Sequence, residues 1–152
     1  MSQEWRRGEY WISTDRNQLE LRLIHEFLSQ RSYWALGRSF ETMKRSLENS
    51  LNFGVYKGEE QIGFARVVTD YATFAWLADV FILEEHRGQG LAKWLLAVIT
   101  SHPQLQGFRR WVLATSDAHE LYRRYGFAEL NDPGRWMERF SEGSLTDSGS
   151  ED

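Results

Sequence analysis

An α/β fold is predicted for this chain by three observations. Strand-like and helix-like segments are mixed along residues 1–140, in the order β-α-α-β-β-β-α-β-α-β-β. An almost wholly apolar strand, Thr73 to Leu83, runs through a short charged turn into an amphipathic helix. Two glycines, Gly88 and Gly90, open that helix. The length suits one domain over residues 1–140, large enough to bury a real core.

Each element has its own signal. Tyr10 to Ser13 reads as a first strand. Leu19, Leu23, Ile24, Phe27 and Leu28 then recur at helical spacing. A loop through Ser32–Arg38 follows, and Ser39 can cap a second helix that carries Phe40, Met43 and Leu47 on one face. Phe53 to Tyr56, the turn Lys57-Gly58-Glu59-Glu60, and Gln61 to Val68 predict strand, tight turn and strand. The apolar run Thr73 to Leu83 is expected to be buried on both faces. After Gly90, a stripe of Leu91, Trp94, Leu95, Val98 and Ile99 predicts a helix that Pro103 ends. Trp111 to Ala114 predicts a strand. Asp117 can cap the next helix, with Glu120 three residues on and Gly126 as its stop. Short strands near Phe127 and at Trp136 to Phe140 are expected to complete the sheet.

The turn between the apolar strand and its helix carries the chemistry. Gly88 and Gly90 lack Cβ, so the backbone can expose successive N–H groups to a closely approaching ligand. These are also the unpaired donors of a helix N-terminus, where the dipole favours negative charge. Such a cradle suits a phosphate or pyrophosphate, and Arg87 stands at its lip. A Walker loop would need Gly-Lys-Ser/Thr, but Leu91 and Ala92 follow Gly90. A dinucleotide fingerprint would need glycine where Lys93 stands, and it would follow the first strand. Both readings fail.

Arg87-Gly88-Gln89-Gly90-Leu91-Ala92 resembles the R/Q-x-x-G-x-G/A motif of GNAT-type N-acetyltransferases. Ala118-His119-Glu120-Leu121-Tyr122-Arg123-Arg124-Tyr125-Gly126-Phe127 is similar to the A-x-x-L-Y-x-x-x-G-F helix of the same superfamily. The likeness covers roughly Phe53 to Phe140. It implies a mixed central sheet of about six to seven strands with about four helices on both faces. Two strands would splay apart to form a slot for acyl-CoA. It also implies acetyl-CoA as the acyl donor, held by Phe81, Ile82, Leu83, Arg87, Gly88, Gln89, Gly90, Leu91, Ala92 and Lys93. Tyr122 matches the tyrosine that commonly protonates the departing thiolate in this family. Asp79 is an isolated carboxylate in an apolar strand, where burial without a partner would be costly. It matches the position of a general base in many relatives, and equally fits a structural pair with an arginine such as Arg66. Arg123, Arg124 and His119 are further polar residues of the second motif. Tyr33, Trp34, Arg38 and Phe40, with Trp76 and Trp136, are candidates for an aromatic acceptor pocket.

Composition bounds the rest. No Cys is present, so disulfides, thiolate metal sites and cysteine nucleophiles are excluded together. The four His show no ligand spacing, and no metal is expected. Net charge is −4 without a basic stripe, so no nucleic-acid partner is expected. No window has the apolar length of a membrane helix, and the first residues lack a signal-peptide core, so a cytoplasmic location is expected. The acidic stretch 141–152 cannot support a core and is expected to be disordered. The reaction expected is direct acetyl transfer to a primary amine, most simply on a small molecule, in a monomer or a homodimer. Two alternatives stand beside it: a non-catalytic acyl-CoA sensor, and an enzyme that acetylates protein lysines or N-termini.

Overall fold

The computed structural model describes residues 2–141, and the tail expected to be disordered lies, from residue 142 on, outside them. Two compact units are formed. One comprises the residues up to Leu19 with Ser50–Phe127, the other Glu20–Asn49 with the residues from Ala128 on.

The first unit holds the sheet. Its strands are β1 (Glu4–Arg7), β2 (Tyr10–Ser13), β3 (Leu51–Lys57), β4 (Glu60–Thr69), β5 (Phe74–Ile82) and β6 (Arg110–Val112). They lie side by side in chain order, antiparallel throughout except for the parallel pair β5–β6. This is the mixed α/β sheet expected. β1 is an addition, because Glu-Trp-Arg-Arg has too little alternation to announce a strand. It forms by pairing with β2, which sets Trp5 opposite Ile12.

Two helices belong to this unit, α3 (Leu91–Ser101) and α4 (His119–Arg123). The apolar face of α3 is buried at Leu91, Leu95, Leu96, Val98 and Ile99, in one core with Ile12, Phe53, Val55, Val67 and Leu77 of the sheet. Each such side chain contributes about 1.5–3 kcal/mol when fully removed from water. Trp94 is only half-buried, for a reason found at the cradle. Asp117 does not cap α4: Ala118 occupies the cap position with no side-chain bond, and the Thr115 hydroxyl accepts instead from the Ala118 N–H at 3.2 Å. The far end closes as predicted. Gly126 N–H donates to Arg123 O at 3.2 Å and Phe127 N–H to Tyr122 O at 3.3 Å, with Gly126 at φ 94°.

β5 is not buried on both faces along its length. Phe74 and Trp76 are exposed while Ala75 and Leu77 are buried, the alternation of a strand with one solvated face. Continuous burial begins only at Phe81 and Ile82. The change of pattern follows a β-bulge: Phe64 opposes Phe81 and Arg66 opposes Ala78, so Asp79 and Val80 together face Ala65. Asp79 takes up the extra residue with a left-handed φ of 56°.

The second unit contains α1 (Leu21–Glu26), a π-helical turn Phe27–Arg31, and α2 (Phe40–Glu48). Ile24, Phe27, Leu28, Ala35, Met43 and Leu47 are its buried apolar residues. The predicted cap of α2 is present, with Ser39 Oγ accepting from Thr42 N–H at 3.1 Å. Neither expected C-terminal strand forms among the described residues. A 3₁₀ turn at Pro133–Arg135 interrupts this stretch, and Met137 and Phe140 lie exposed. No helix of the described residues is long and apolar enough to cross a membrane.

Candidate active site

The end of β5, the loop after it and the start of α3 build the cradle. Leu83 N–H donates to Ile62 O at 2.8 Å, which fixes the strand end on β4. A 3₁₀ turn at Glu84–His86 follows. Arg87 then folds back, its Nε donating to Ile82 O at 2.9 Å. Gly88 and Gly90 stand at φ 83° and 77°, a left-handed conformation that other residues adopt only with strain. Gly90 is the N-cap of α3, and no side chain caps the helix. The first-turn N–H groups of Leu91, Ala92 and Lys93 are therefore presented outward at the positive end of the dipole. Gln89 and Arg87 flank them.

The hairpin β1–β2 reaches the same place, and nothing in the sequence motifs announced it. Tyr10 Oη lies 3.4 Å from both His86 Nδ1 and Gln89 Oε1. Its cross-strand partner Arg7 sets a guanidinium 5.7 Å from the Trp94 ring centroid. A Cβ placed on Gly90 would lie 3.6 Å from Arg7 Nη2. Arg7 thus covers the indole that the helix stripe predicted to be buried. The signal that could have found it is the run Arg6-Arg7-Gly8, two cations at a turn, but its register against the cradle is a tertiary fact.

β5 and β6 pair only from Phe74–Arg110 to Trp76–Val112, and β5 then continues to Ile82. The pairing stops at Trp76 and Val112, where β6 ends. Asp79 lies on β5 past this point. Its Oδ2 accepts from Arg66 Nε at 2.6 Å, and Arg66 Nη1 donates in turn to Ser50 Oγ at 3.1 Å. Tyr122 of α4 packs edge-on against Phe127, ring centroids 6.0 Å apart. Both rings lie against the core that α3 closes. Tyr125, one turn on, donates its hydroxyl to Lys93 O at 2.7 Å and so ties α4 to the first turn of α3. Arg123 pairs with Glu120 at 2.9 Å within its own helix.

The aromatic acceptor candidates divide between the units. In the second, Tyr33 and Trp34 meet edge to face at 5.0 Å, Trp34 lies 6.5 Å from Phe27, and Phe40 lies edge-on to His25 at 5.5 Å. His25 Nε2 is 2.9 Å from Arg38 O, which fixes the loop between the helices. Trp136 also belongs to that unit, whereas Trp76 is an exposed residue of β5 in the first. No cluster of three or more His, Cys, Asp or Glu residues suited to a metal occurs among the described residues.

Comparison with known proteins agrees with this geometry. The profile of the acetyltransferase (GNAT) domain matches residues 48–129, which include the cradle and α4. A protein of Gibberella zeae that carries an acetyltransferase name is 33% identical, the match covering 79% of each chain. A solved GNAT-family structure from Xanthomonas campestris is 47% identical with a TM-score of 0.88, covering 91% of this chain and 97% of its own. A GNAT structure from Elizabethkingia anophelis with acetyl-CoA bound shares the fold at a TM-score of 0.60 and 15% identity, covering 91% of this chain and 92% of its own. Sequence match, fold and cradle converge, and the chain belongs to the GNAT family of acetyltransferases.

Proposed function

We propose that this protein transfers an acetyl group from acetyl-CoA to the primary amine of a small molecule in the cytoplasm, by direct attack of the amine on the thioester. The observation that carries the reading is the uncapped start of α3 behind two left-handed glycines. Backbone N–H groups and the helix dipole there suit a pyrophosphate. The family relative with acetyl-CoA bound supports the choice of donor. The residues of the cradle, Arg87 to Lys93, hold the phosphates, and the strand end Phe81-Ile82-Leu83 runs beside the pantetheine arm. The thioester enters where the β5–β6 pairing ends, past Trp76 and Val112.

In the reaction the amine nitrogen bonds to the acetyl carbon and the carbon–sulfur bond breaks. Tyr122 gives its phenolic proton to the departing thiolate. Asp79, through water, takes the proton that the amine sheds. A phenol of ordinary pKa about 10 is a suitable donor to a thiolate whose acid is near 8.5. The 2.6 Å contact with Arg66 favours a second reading of Asp79, in which the carboxylate holds the bulge and bears no proton in turnover. The intact second motif around Tyr122 supports an enzyme over a mere acyl-CoA sensor, which would have no use for an acid. A thiol-release assay with acetyl-CoA and a panel of polyamines, amino acids, aryl amines and lysine peptides tests the proposal. Turnover with a small amine supports it. Turnover with peptides alone would move the acceptor to protein, and release with none of them would favour the sensor.

A further inference from the structure

We propose that Arg7, from the opening hairpin, is a phosphate-binding residue of the donor site, a cation added to those of the motif from outside it. The inference rests on the donor reading above. Arg87 is the cation that the motif places at the cradle, and its Nε is engaged by Ile82 O at 2.9 Å. Arg7 approaches from the other side, with Nη2 3.6 Å from where a Cβ of Gly90 would stand. Among the described residues it makes no ion pair, in contrast to its neighbour Arg6, which pairs with Glu4 at 3.1 Å.

The position is prepared rather than incidental. The Trp94 ring, whose centroid is 5.7 Å from the guanidinium carbon, holds the cation beside the first turn of α3. The hairpin is fastened to the cradle by Tyr10, which is directly opposite Arg7 and whose hydroxyl stands between His86 and Gln89. A planar guanidinium held beside outward backbone N–H groups can bond two oxygens of one phosphate, which a lysine at the same place could not do. CoA offers two such groups, its pyrophosphate and its 3′-phosphate, and the chemistry of recognition is the same for both.

The test is titration calorimetry of CoA, and of CoA lacking the 3′-phosphate, into the wild type, Arg7→Gln and Arg6→Gln. Loss of one charge-assisted phosphate contact should weaken CoA binding by Arg7→Gln about tenfold. Arg6→Gln, on the same hairpin but paired elsewhere, should bind as the wild type does. Arg7→Lys should fall between them. A tenfold loss that persists without the 3′-phosphate puts Arg7 on the pyrophosphate, and one that vanishes puts it on the 3′-phosphate. Either supports the role. Arg7→Gln binding CoA within twofold of a wild type that itself binds would overturn it. A wild type that binds no CoA would instead remove the donor reading.

Discussion

Asp79 and Arg66 meet across the β4–β5 hairpin at 2.6 Å, Oδ2 to Nε, with side chains only 2% and 13% exposed. A pair so far from water is costly to break, because removal of one partner leaves a buried charge uncompensated. Arg66→Met should therefore lower unfolding stability by about 3–5 kcal/mol, read from urea midpoints. Asp79→Asn keeps an acceptor for the guanidinium and should lose less. The same variant tests the proton-acceptor role. A folded Asp79→Asn protein with full kcat would leave Asp79 only its place at the bulge.

Tyr122 and Tyr125 should separate by opposite readouts. Tyr122→Phe removes a hydroxyl and preserves the ring against Phe127, so the fold and acetyl-CoA affinity should be retained. Its kcat should fall by about 10²–10⁴-fold if the phenol is the general acid. Tyr125→Phe loses the 2.7 Å bond to Lys93 O. That change should cost about 1 kcal/mol of stability with turnover nearly intact. Unchanged kcat in Tyr122→Phe would assign the proton to another donor.

Substitution at Gly90 should abolish donor binding through occupied space as well as strain. Gly90 and Gly107 both have positive φ, 77° and 83°, so a side chain at either incurs backbone strain. Only Gly90 lies in the cradle. Gly90→Glu should lose CoA binding while Gly107→Ala loses only some thermal stability, as melting curves with and without CoA would show. Wild-type affinity in a folded Gly90→Glu protein would place the phosphates elsewhere.

Acid should weaken the fold through His102. Burial holds this imidazole below its ordinary 6.5, beside the rings of Trp5 and Phe53 at 5.8 and 5.7 Å. Its Nδ1 accepts from Gln104 N–H at 3.1 Å, a bond that only the neutral ring can accept there. The unfolded chain therefore binds the proton more readily than the folded one. The His102 contribution is complete above pH 6.5 and is lost as pH falls below it. Urea midpoints at pH 7.5 and 5.5 should differ less in His102→Asn than in the wild type.

The elements readable from sequence were those whose cause is local. Ser39 caps α2 because Ser at that place bonds the next turn wherever the chain folds. The α3 stripe and the two glycines likewise act through their own neighbours. β1 was not legible, since Glu4–Arg7 becomes a strand only by pairing with β2. The expected strand at Trp136–Phe140 failed the other way, its aromatic content having found no partner strand among the described residues. At the site, the glycine turn that opens α3 was legible, and Arg66 was anticipated as one partner for Asp79. The bulge that turns Asp79 to φ 56°, and the arrival of Arg7 and Tyr10 from the far end of the sheet, depend on register and had no signature in the letters.

Binding of the acyl donor tests the assignment most directly. Melting curves of the wild type with acetyl-CoA, and separately with NAD, at about a hundred times the acetyl-CoA dissociation constant would measure it. A ligand bound only by the folded cradle should add about 2.7 kcal/mol of stability at that concentration, seen as a raised Tm. NAD should leave the Tm nearly where it was. No shift with acetyl-CoA, or an equal shift with NAD, would contradict the donor site assigned to Arg87–Lys93.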